Sequence, residues 1–178
     1  MNLKEKLSRR VGMTEIHEIV FLTQGNNERK QELYDLIFDA DDIVAYQATW
    51  TFTHFSAYDN EWLYDKQNGL IDEVLVCSHT GKRRLLMTLL FRQPLSGPPR
   101  IDFLDFCLEK MMSIKEPPAF QTLSMKLAYE MCRNIPELLQ EFRVLLDMMV
   151  PDLLEISMRT ARKNVLKSMK SGKSLQTF

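Results

Sequence analysis

Several stretches of this chain hold residue types whose spacing could do chemistry, and each is read against what that chemistry requires. Ser171-Gly-Lys-Ser174 has the end of a phosphate-cradling loop, but such a loop needs a glycine five residues before Gly172, where Lys167 stands. His17-Glu18 starts like a zinc-protease helix, yet Phe21 occupies the position of the second histidine. Cys77-Ser-His79 offers two ligands where a structural zinc normally takes four, and no other Cys or His lies close in sequence. Trp50, His54 and Tyr58 recur at i, i+4 and i+8 as an aromatic stripe. It could stack a ring or a cation, but aromatic area most often closes a core or its edge. Asp41-Asp42 and Asp102 with Asp105 suit helix starts, where carboxylates complement the helix dipole. No order of Ser, His and Asp or of Cys and His marks a nucleophile. No catalytic residue, metal site or cofactor is expected, and an enzyme is not the favoured expectation.

The strongest charge feature comes late. Arg159, Arg162, Lys163, Lys167, Lys170 and Lys173 follow one another with no acid after Glu155. Arg159, Lys163, Lys167 and Lys170 share one helix face, with Ala161, Val165 and Met169 across from them. Such a face serves either as the polar cap of a terminal repeat or as a patch for phosphate or an acidic partner.

The elements that must carry these residues are helical. The chain has 178 residues, 45% hydrophobic and 26% charged, with 6 Gly and 7 Pro, which favours helices over turn-rich sheet. A net charge of -1 gives no global pull toward nucleic acid or an anionic membrane. Cys77, Cys107 and Cys132 are an odd set without paired spacing and read as reduced thiols. No apolar run reaches the length of a membrane span or a signal peptide. A soluble, cytoplasmic protein is expected.

Two helices are expected within residues 1–27. Helical pairs follow over 28–58, 61–93, 101–133 and 136–170, then a frayed tail over 171–178. The breaks are Gln24-Gly-Asn-Asn27, Asp41-Asp42, Asp59-Asn60, Ser78-His79-Thr80, Pro94 to Pro99, Pro117-Pro118, Asn134-Ile-Pro136 and Val150-Pro151-Asp152. Single helices are expected over 43–58 and 61–77, with Gly69 marking a bend in the latter.

The second helices of these pairs align with one another. Ala45-Tyr46-Gln-Ala-Thr49-Trp50, Arg84-Leu85-Leu-Met-Thr88-Leu89, Thr122-Leu123-Ser-Met-Lys126-Leu127 and Thr160-Ala161-Arg-Lys-Asn164-Val165 recur at a period near 40, the length of a helical-hairpin repeat. One column, Tyr46/Trp50, Leu85/Leu89, Leu123/Leu127 and Ala161/Val165, is apolar in every copy and is expected to face inward. Its neighbour, Ala45/Thr49/Thr53, Arg84/Thr88/Arg92, Thr122/Lys126/Glu130 and Thr160/Asn164/Ser168, is polar except at Ala45 and is expected to face solvent.

From about Glu28 to Lys170 the chain resembles HEAT-like and armadillo-like helical repeats, and Asp42 stands where an aspartate usually opens a second helix. It also resembles a group of small bacterial helical-repeat proteins through Ala48-Thr-Trp50, Lys82-Arg83-Arg84 and Met158-Arg-Thr-Ala-Arg162-Lys163. Some of those carry the name adenylosuccinate lyase, but the Ser-rich, Met-Pro-containing loop of that lyase family has no counterpart here. The resemblance implies an all-α protein, a right-handed α-α superhelix of about four hairpins in one domain, with one or two extra N-terminal helices. It implies a protein-interaction or scaffold role on a concave face built from second helices. The candidate residues there are Arg84, Thr88, Arg92, Lys126 and Asn164. Binding of another protein is the favoured function. Nucleic acid on the same weakly basic face, aided by Arg159, Arg162 and Lys163, is the alternative.

Overall fold

Helices begin where the chain supplies a partner for the unpaired N–H groups of a first turn. In a computed structural model, which describes residues 1–95 and 97–178, the Asn26 amide oxygen accepts from the N–H groups of Glu28 and Arg29 at 3.0 and 3.1 Å. The Asp41 carboxylate accepts from Ile43 at 2.9 Å. His79 does the same through Nδ1, which accepts the Lys82 N–H at 3.0 Å. Pro118 and Pro136 open two further helices at a position where a missing N–H costs nothing. All the regular structure among the described residues is helical.

The described residues form two compact units, Met1–Gln93 and Pro94–Phe178, which part where the Pro94 to Pro99 linker begins. The first unit holds α1 (Leu3–Leu7), α2 (Met13–Thr23), α3 (Asn27–Leu36), α4 (Asp42–Phe52), α5 (Ala57–Asn60), α6 (Gln67–Val76) and α7 (Thr80–Phe91). The second holds α8 (Ile101–Met112), α9 (Pro118–Cys132), α10 (Pro136–Met148) and α11 (Ile156–Ser171).

In the first unit α3 pairs with α4 and α6 with α7, and the second helices α4 and α7 pack on each other. Two extra helices, α1 and α2, close over α3 and α4. The short chain between them is pinned by the buried Gln47 side chain. Its amide nitrogen donates to the carbonyls of Leu7 and Arg9 at 2.7 and 2.8 Å, and its oxygen accepts the Val11 N–H at 2.8 Å. A part-buried ion pair of 2.7 Å joins Lys82 on α7 to Glu73 on α6. Another, of 3.3 Å, joins Lys30 to Asp59. In each the lysine is the more deeply buried partner, so removing the carboxylate strands a buried ammonium.

Two expected long helices are interrupted. The segment from Ile43 ends at Phe52, and a fresh helix, α5, is capped by Ser56, whose hydroxyl accepts the Asp59 N–H at 3.1 Å. Thr49, Thr51 and Thr53 each donate a hydroxyl back to a carbonyl three or four residues earlier, a competition that weakens the helix toward its end. The segment from Glu61 starts as a 3-10 helix over Glu61–Lys66 before α6 begins. There the Trp62 ring lies parallel to Phe52 at 6.3 Å, with Lys66 Nζ over it at 3.9 Å. Gly69 marks a close approach: a Cβ at this position would collide with the Tyr34 hydroxyl.

The second unit is organised around α9, which packs against α8, α10 and α11. Phe120, Ser124, Met125, Leu127, Ala128, Tyr129 and Cys132 are all buried. The expected frayed tail is instead attached. Gly172, in the left-handed region at φ 67°, turns the chain out of α11. Tyr129 then donates its hydroxyl to the Lys173 carbonyl at 2.6 Å, and the Glu130 carboxylate accepts from Ser174 Oγ at 2.9 Å and from the Leu175 N–H. A carboxylate only 4% exposed needs such donors, and the tail provides them.

Candidate functional site

The two columns aligned in the sequence fall on opposite faces of α7 and α11. Leu85, Leu89, Ala161 and Val165 are buried, while Arg84, Arg92, Thr160 and Asn164 are exposed. On α9, Leu127 is buried and Lys126 half-buried, but Glu130 has turned inward to hold the tail. The first copy is reversed. Ala45 and Thr49 are buried, whereas Tyr46 and Trp50 are half-buried. Helix α4 is surrounded by α1, α2, α3 and α7, so its small residues face those neighbours and its two rings take the side left over.

Of the expected interaction residues, Arg84, Thr88 and Arg92 stand on the outer face of α7 in the first unit. Thr88 donates to the Arg84 carbonyl at 3.0 Å, which leaves its oxygen as an acceptor. Arg92 is committed differently: Nη1 donates to the Thr53 carbonyl at 2.7 Å, bridging the ends of α7 and α4. In the second unit Lys126 lies on α9 and Asn164 on α11.

The basic residues of the last helix gather around an open groove of about 810 Å³ lined by Arg159, Arg162, Lys163, Asn164, Lys167 and Lys170. Arg159 donates to the carbonyls of Pro151 and Leu154 at 3.0 and 3.2 Å, and Arg162 to Leu146 at 2.9 Å. The Leu146 and Pro151 carbonyls also accept the N–H groups of Met149 and Leu154, so the guanidinium groups join backbone turns at the end of α10 and just after it.

The aromatic stripe is real but differently composed. Tyr58 is 79% exposed and lies beyond the end of α4. The ribbon instead runs His17, His54, Trp50, Tyr46, His79, with successive ring centroids 5.5, 5.8, 6.5 and 5.4 Å apart. It strings together all three histidines of the chain. Burial, together with the charges of His17 and Arg92, holds the His54 pKa below the ordinary imidazole range. Tyr46, Trp50 and His79 also line a cleft of about 570 Å³ with Met13, Ile43 and Arg10. The cleft escaped the sequence reading, which placed Tyr46 and Trp50 in the core; rings at positions that hold leucine in the next copy were the available signal.

Burial favours the protonated form of all three cysteines. Burial pushes the Cys107 thiol well above its usual range and, with Glu141 nearby, the Cys132 thiol up to about 12. Burial also raises Cys77, whose thiol donates to the His79 carbonyl at 3.5 Å. Among the described residues no group of three His, Cys, Asp or Glu side chains is placed to hold a metal ion.

A family model for the HEAT repeat domain matches residues 3–169. The chain belongs to the HEAT repeat family. No curated protein and no solved structure matches it. The match runs from α1 to α11. Among its described residues no helix is long and apolar enough to cross a membrane.

Proposed function

We propose that this HEAT repeat protein is a protein-interaction module that engages its partner through the accessible faces of its second helices. One observation carries the reading. Arg84, Lys126 and Asn164 reach solvent from three second helices whose other faces are buried, and none of their side chains has a hydrogen bond or ion pair among the described residues. HEAT repeat proteins use second-helix faces of this kind as concave binding surfaces. Thr88 and Arg92 extend the face on α7. Arg92 is the poorest member to test, because it also holds α7 to α4.

The partner is another protein, met in the cytoplasm. Replacing Arg84, Thr88 and Lys126 by alanine removes side chains without opening a cavity. The variant should keep its thermal midpoint and lose partner capture in a pull-down; undiminished capture rejects the reading.

A further inference from the structure

We propose that the groove on α11 docks an extended acidic segment of the partner protein. This rests on the protein-interaction reading and adds the chemistry of one docked segment. The groove carries charge of one sign: Arg159, Arg162, Lys163, Lys167 and Lys170 line it, and no Asp or Glu does. The two arginines are held in place by their bonds to the Pro151, Leu154 and Leu146 carbonyls, so their charge is fixed at the groove. The ammonium groups of Lys163, Lys167 and Lys170 have neither a hydrogen bond nor an ion pair among the described residues.

Such an array works against its own helix. Like charges four residues apart on a helix destabilise it by about 0.2–0.5 kcal/mol per pair, and Arg159, Lys163 and Lys167 form two such pairs. A cap that only needed to be soluble would mix signs. The helix dipole favours Lys170 in the last turn but not Arg159 in the first, so a polar cap leaves part of this single sign unexplained, and an anionic partner accounts for it.

Spacing favours a peptide. Residues i and i+4 on a helix are about 6 Å apart along its axis, and alternate residues of an extended chain are about 6.6 Å apart. Acidic side chains on one edge of an extended segment thus meet successive cations over the roughly 16 Å from Arg159 to Lys170. Asn164, between them, can serve a backbone N–H or carbonyl of the segment. A single-stranded nucleic acid fits less well, because the groove has no aromatic ring on which a base could stack, and a duplex is the competitor that the test below includes.

The test uses the full chain and a labelled peptide of alternating Glu and Ser, about twelve residues long, read by fluorescence anisotropy. A Lys-Ser peptide and a short DNA duplex serve as competitors. The acidic peptide should bind, about tenfold more weakly at about 200 mM than at about 50 mM salt. Binding should fall at least about tenfold in Lys163→Glu/Lys167→Glu/Lys170→Glu and be unchanged in the Arg84/Thr88/Lys126 variant. These lysines are away from the core, and circular dichroism checks that the reversed variant stays folded. No binding to the wild type, equal binding by the folded charge-reversed variant, or preference for the duplex overturns the proposal. Failure of the interaction reading is a different result, undiminished capture of partner by the Arg84/Thr88/Lys126 variant, and peptide affinity does not enter into it.

Discussion

The Arg92 guanidinium donates to the Thr53 carbonyl at 2.7 Å, across 39 residues of sequence. In the second unit Arg133, at the end of α9, donates to the Gly172 carbonyl at the end of α11 at 3.3 Å, there from the earlier helix to the later one. In each case an arginine at the end of one second helix satisfies a carbonyl left open at the end of the neighbouring one.

Arg92→Ala should accordingly destabilise the fold by about 1 kcal/mol, the ordinary worth of a hydrogen bond at an exposed site. Arg92→Lys should recover only part of this, because a lysine lacks the planar fork. Urea unfolding monitored by circular dichroism measures both. Equal stability of wild type and Arg92→Ala would show that the bond is not a stabilising link.

Glu130 anchors the tail, so Glu130→Ala should release residues 173–178 while α9 and α11 stay packed. Amide exchange at Leu175, whose N–H the carboxylate accepts, should accelerate toward the unprotected rate. Global stability should fall by about 2 kcal/mol, the worth of charge-assisted bonds lost from a buried site. Unchanged protection at Leu175 would contradict the anchoring role.

Acid should weaken the first unit through His54. Its pKa is lowered in the fold by burial and by the charges of His17 and Arg92, so the unfolded chain takes up its proton first as pH falls. Stability is full above the unfolded imidazole value and declines as pH drops from there to the lowered folded value. Thermal midpoints measured from about pH 7.5 to about pH 5.5 should fall less in His54→Gln than in the wild type. Identical slopes would remove His54 from the account.

Much of this architecture could be read before any coordinates. Helix starts followed residues with one local job, such as Asn26, Asp41, Pro118 and Pro136, and the column of Leu85, Leu89, Leu127, Ala161 and Val165 recorded burial directly. What stayed hidden depends on neighbours distant in sequence. Tyr46 and Trp50 look like core residues until α4 is seen wrapped by four other helices, which demand Ala45, Ala48 and Thr49 on their side. The polar tail reads as loose until Glu130, a charged residue in a polar column, proves buried and in need of donors. Tyr58 left its stripe because the end of α4 is decided by threonine hydroxyls and by the Ser56 cap. The accessible candidates Arg84, Lys126 and Asn164 were legible because a polar column on a helix with one buried face has one place to go.

The central claim is that second-helix faces hold the partner, and capture from native lysate tests it most directly. Tagged wild type and Arg84→Ala/Thr88→Ala/Lys126→Ala are compared by quantitative mass spectrometry at matched thermal midpoints. The account predicts that proteins enriched by the wild type are lost with the variant. Recovery of the same proteins in the same amounts would contradict it.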